Sequence, residues 1–100
     1  MRALIIETWR YCLESYVLKL IGAMDADREQ KMEKLLPLLR HATRKESSWD
    51  VIVSEAMELG PDFQSRVESL WSSAKSEMDA HAFAKRVVER NFDPSLVDAN

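Results

Sequence analysis

The side chains able to do chemistry are two histidines, one cysteine, a scatter of serines and seventeen carboxylates, and their spacing decides what they can do. His41 and His81 stand forty residues apart and neither lies in an HExxH pattern, so zinc ligation has no basis here. Glu77 and His81 would share a face, with Asp79 nearby, if one helix ran through both, but that set reads better as a solvated surface pair than as a metal site. Asp25-Ala26-Asp27-Arg28-Glu29 imitates the opening of a calcium loop. The imitation fails where Gln30 replaces the glycine of the turn and where Leu36 replaces the bidentate glutamate. No metal site is expected.

Nucleophilic catalysis finds no better footing. No serine lies in a GxSxG context, and a chain with two glycines has no material for a phosphate-cradling loop. Cys12 has no basic neighbour that would lower its pKa, and it falls on the apolar face of a helix, where it serves as a small core residue. We therefore expect no catalytic residues and no cofactor, and read the chain as not an enzyme.

One pattern points to nucleic acid. Ala56 and Gly60 stand four apart, as small residues do in the first helix and turn of a helix-turn-helix, with the second helix starting at Pro61 or Asp62. Within residues 47–75 that helix would offer Gln64, Arg66, Ser69, Ser72, Ser73 and Lys75 to phosphates or base edges. Proline directly after Gly60, the negative charges of Asp62 and Glu68, and a net charge of -3 weigh against it. A local basic patch could still be built from Arg40, His41, Arg44 and Lys45 with Lys85, Arg86 and Arg90.

The elements that must position these groups are helices. At roughly 100° per residue, residues 2–24 carry a broad apolar stripe of Ile5, Ile6, Trp9, Cys12, Leu13, Tyr16, Val17, Leu20 and Met24. Leu4, Tyr11 and Leu18 form a second, narrow line almost opposite. A surface helix needs one stripe only, so this helix is expected at the centre of its bundle or under a second chain. A Leu-Tyr-Leu line at seven-residue spacing suits a helix-helix seam, and we assign Leu4, Tyr11 and Leu18 as partner-binding residues of a homodimer. The alternative cover is a helix of the same chain, such as the leucine-rich stretch 35–39.

Further along, Gly22 loosens the first helix, and Asp27 with Gln30 three residues later resembles a capping box for the second. Pro37 is expected to kink or break that helix. Thr43 to Ser47 reads as a polar connection, and Ser47 or Ser48 caps a third helix with Trp49, Ile52, Val53, Ala56, Met57 and Leu59 on its apolar side. Gly60 is expected to close it in the left-handed conformation, with Pro61 in the first turn of the next. That fourth helix carries Phe63, Val67, Leu70, Trp71, Ala74 and Met78. Asp79 then caps a fifth, with Met78 and Phe83 as its hydrophobic staple, in preference to one long helix over 61–91. Trp9, Trp49 and Trp71 all fall on apolar faces and are expected to fill core.

The chain is thus expected to be all-α, a small bundle of four to five helices in one domain over 1–94, with a polar tail at 95–100. Its 46% hydrophobic and 31% charged residues suit a folded helical protein. The run Ala3 to Ile6 resembles the start of a signal peptide, but Glu7 and Arg10 end it, and no stretch suits a membrane span. A single cysteine fits a reducing compartment, so we expect a soluble, cytoplasmic protein. The function expected is a protein-binding module of the regulator, adaptor or inhibitor kind, with DNA binding as the alternative.

Overall fold

The structure, a computed structural model, describes residues 2–42 and 60–91, with the side chains of 7–39, 41 and 62–91. These residues form four α-helices and no strand: α1 (Arg2–Leu20), α2 (Ala26–Ala42), α3 (Gly60–Ala74) and α4 (Ala80–Asn91). The expected helix over 49–59, the polar connection before it and the tail at 95–100 lie outside the described residues.

The first helix ends earlier than residue 24. Gly22 adopts φ 73°, the left-handed region closed to most side chains. With it, Ala23 N–H donates to the Leu18 carbonyl at 2.8 Å and Gly22 N–H to the Lys19 carbonyl at 3.1 Å, a paired closure of the helix end. The chain leaves this turn non-helical through Asp25, so Asp25, and not Asp27, is the cap of α2. Its carboxylate accepts the Arg28 N–H at 2.7 Å, and its carbonyl accepts the Glu29 N–H at 3.1 Å. Asp27 falls inside the first turn, where negative charge suits the helix end.

Pro37 does not break α2, which runs unbroken from Ala26 to Ala42. Met32 and Leu39, on either side of the proline, are both buried against α1 with Leu35 and Leu36 packed beside them. That shared apolar face outweighs the one hydrogen bond the proline removes, and the freed carbonyl is that of exposed Glu33. Gly60, expected to be left-handed, is instead helical and opens α3, with Pro61 next, where a missing amide breaks no intrahelical bond.

The single long helix over 61–91 is excluded by the turn between α3 and α4. Glu77 and Met78 donate back to the Ala74 carbonyl at 2.8 and 3.0 Å, and the helix restarts at Asp79. The Asp79 carboxylate accepts the Ala82 N–H at 2.7 Å and its carbonyl the Phe83 N–H at 3.1 Å. Met78 and Phe83 join the same apolar cluster, which completes the staple.

α1 touches each of the other three helices. On one side, Trp9 and Cys12 pack with Met32 and Leu39 of α2. On the other, Leu13, Val17 and Leu18 pack with Phe63 and Val67 of α3 and with Phe83, Ala84, Val87 and Val88 of α4. The broad stripe of α1 is thus shared between α2 and the α3–α4 pair, and Leu18 of the narrow line is buried with the latter. No helix among the described residues is long and apolar enough to cross a membrane.

Candidate functional site

Two places bring polar and apolar groups together in a manner that could serve function. The first is the point where the starts of α2 and α4 meet over α1. Ser15 is fully buried. Its hydroxyl donates to the Tyr11 carbonyl at 2.8 Å and accepts from Arg28 Nε at 2.7 Å. The same guanidinium lies 3.6 Å from the Glu14 carboxylate, donates to His81 Nδ1 at 3.2 Å, and sits 4.4 Å from the centre of the Tyr11 ring. Lys31, one turn along α2, approaches that ring at 4.8 Å. A guanidinium has no acceptor, so His81 must receive at Nδ1 and carry its own hydrogen on Nε2.

This arrangement joins helices. The Ser15 proton is committed to a main-chain carbonyl, and the group facing its oxygen is a permanent cation that cannot take a proton. Burial raises the Glu14 carboxyl above its ordinary value against the opposing charges of Arg28, Arg10 and Lys85, with Glu89 reinforcing the rise. Cys12 likewise gains no reactivity. Burial pushes its thiol up to about 11, and the charge of Arg28, which offsets part of the rise, does not reverse it. His81 and Glu77 do not share a helix face, because the chain turns between them. Among the described residues no three His, Cys, Asp or Glu side chains gather as a metal site would require.

Leu18 departs from the expected seam of Leu4, Tyr11 and Leu18. Leu18 has no exposed surface and belongs to the cluster with α3 and α4, while Tyr11 is half-buried against α2 beneath Arg28 and Lys31. The Leu4 side chain lies outside the described residues. The line is therefore fully covered within the chain at Leu18, by α3 and α4, and partly covered at Tyr11, by α2. Stretch 35–39 contributes to that cover through Leu35, Leu36 and Leu39.

The second place is a groove between α3 and α4. Leu70, an apolar position expected in the core, is 57% exposed. It borders a cavity of about 140 Å³ whose floor is Ala74, Met78, Phe83 and Val87 and whose far wall is Arg86 and Arg90. A smaller hollow of about 50 Å³ shares Leu70, Val87 and Asn91 with it and is lined also by Phe63, Arg66 and Val67. Trp71 stacks at a tilt on Phe83, centroids 5.1 Å apart, and holds one floor residue in place. Arg66 extends over the Phe63 ring at 5.9 Å. The result is a short apolar trough with three guanidinium groups around it.

The residues expected to read DNA are all exposed but do not converge. Arg66, Ser69 and Ser73 share the side of α3 that carries Leu70, whereas Gln64 and Lys75 lie roughly 160° to 180° around the axis from Arg66. Gln64 donates to Glu68 at 3.1 Å on that other side, and Ser72 and Ser73 return their hydroxyls to the carbonyls of Glu68 and Ser69. The expected basic patch is divided as well. Lys85 acts on Glu14, while Arg86 and Arg90 border the groove. Arg44 and Lys45, and the side chain of Arg40, are outside the described residues. The groove was not legible from sequence, because Leu70 sits at helical spacing with the buried positions Phe63 and Val67.

The chain matches no protein-family model, no curated protein and no solved structure.

Proposed function

We propose that the chain is a non-catalytic protein-binding module, a bundle of four or five helices arranged around α1, which offers the groove between α3 and α4 to a partner protein. The supporting observation is Leu70. Single exposed leucines are ordinary, but this one joins two apolar hollows into one trough. Such surface is what an interface covers. The binding surface moves accordingly from α1, where Leu18 is inaccessible, to α3 and α4. The buried, unpaired Cys12 suits a cytoplasmic place of work.

Selection of random helical peptides against the immobilised full chain tests this reading. Enriched peptides should lose binding to the Leu70→Asp variant while that variant keeps the wild-type melting curve, since the side chain is exposed. Enrichment that is equal on wild type and on Leu70→Asp would remove the groove as the binding site.

A further inference from the structure

We propose that the occupant of the α3–α4 groove is an acidic amphipathic helix from a partner protein, an inference that rests on the reading above and names the chemistry of the partner. The chain as a whole is acidic, with net charge -3. At this groove, however, the charges are cationic, with Arg66 from α3 and Arg86 and Arg90 from α4. Of the neighbouring carboxylates, Glu68 pairs with Gln64 around the far side of α3 and Glu89 acts on Glu14 toward α1, while Asp62, one turn before Arg66, lines neither hollow. The field at the trough thus favours carboxylates, which guanidinium groups receive in bidentate geometry.

The apolar part selects the shape. A trough bounded by two helices, with a cavity of about 140 Å³ and a second hollow that shares Leu70, Val87 and Asn91 with it, suits bulky side chains one or two turns apart on a docked helix. Met78 lines the larger of these two hollows and, as an unbranched flexible side chain, can adjust to what enters. The phosphates of a duplex would satisfy the arginines but would leave Leu70, Met78 and Phe83 without an apolar counterpart. A helix with leucine or phenylalanine along one face and glutamate on its flanks satisfies both.

The test uses two fluorescent peptides of about 16 residues with identical leucine and phenylalanine at helical spacing, one flanked by glutamate and the other by lysine. Anisotropy titrations with the full chain at about 50 mM salt should show saturable binding of the acidic peptide, roughly tenfold or more tighter than the basic one. Arg86→Glu with Arg90→Glu should weaken the acidic peptide by roughly tenfold and reverse the preference. Leu70→Asp should abolish binding of both. Equal binding of the two peptides, or a preference that survives the charge reversal, overturns the proposal. So does displacement of the acidic peptide by duplex DNA at lower concentration than by unlabelled peptide, or a dimer in sedimentation that Leu70→Asp dissociates. If the designed acidic peptide fails while selected peptides still depend on Leu70, only the acidic occupant is lost. If neither depends on Leu70, the binding-module reading falls with it.

Discussion

Arg28 Nε donates to the Ser15 hydroxyl at 2.7 Å, joining α2 to a side chain of α1 that solvent does not reach. Around that bond the guanidinium also meets Glu14, His81 and the face of Tyr11, so a single residue at the start of α2 ties together three helices. With 14% of its side chain exposed against 21% for Glu14, the pair is shielded well beyond an ordinary surface ion pair.

Arg28→Ala should destabilise the fold by about 2 to 3 kcal/mol, from the loss of a charge-assisted hydrogen bond and a cation–π contact. Arg28→Lys should recover less than half, because an ammonium cannot address Ser15, Glu14 and His81 at once. Combined with Ser15→Ala, the effects should fall short of additivity by about 1 kcal/mol. Urea denaturation midpoints measure all three, and strict additivity would show that the bond carries no coupling.

Glu14 gives the fold a specific pH dependence. Its carboxyl is raised above the ordinary 4.5 chiefly by burial, so protonation is easier in the folded state than in the unfolded chain. The stability this contributes is fully present below the unfolded value and is lost as pH rises through the raised folded value. Relative to wild type, Glu14→Gln should therefore gain stability as pH rises above the ordinary carboxyl value of 4.5. Removing the Arg28 charge should move the Glu14 titration further up, which a carbon-13 titration of its carboxyl reads directly.

Cys12 should be inert while the chain is folded. Its thiol titrates at about 11 instead of 9.0, with burial as the leading cause. At about pH 8 the thiolate population alone slows alkylation by about two orders of magnitude relative to the unfolded chain. Iodoacetamide labelling followed by mass spectrometry, with and without denaturant, gives the ratio. The linked stability is present below 9.0 and is lost as pH climbs toward 11.

Gly22→Ala isolates backbone strain. Nothing lies within 4 Å of the added methyl, but φ is +73°. The cost of about 1 kcal/mol comes from the left-handed backbone alone, and Gly22→Asn should cost less. Thermal denaturation of the two variants provides the comparison.

The features that could be read from sequence are those decided within a few residues. Asp79 with Met78 and Phe83 is such a case, since cap and staple are local. Asp25 and Asp27 both satisfy the rules for a cap, and the turn at Gly22 chooses between them. Pro37 leaves the helix unbroken because its local penalty is outweighed by burial of Met32 and Leu39 on both sides. The seven-residue spacing of Leu4, Tyr11 and Leu18 identifies a face but not what covers it. Nothing near Arg28 announces partners 13 and 53 residues away, and nothing at Leu70 distinguishes it from its buried neighbours.

Those two separations also order the events of assembly. Closing the chain from Arg28 to His81 costs about 1.2 kcal/mol more in loop entropy than closing it to Ser15, so the hairpin of α1 and α2 can form well before α4 arrives. During synthesis, which delivers the N-terminal end first, Tyr11 can already lie beneath Arg28 while Leu18 still lacks the side chains of residues 63–88 that enclose it. A nascent chain paused before that stretch emerges would hold a finished hairpin with one greasy flank bare.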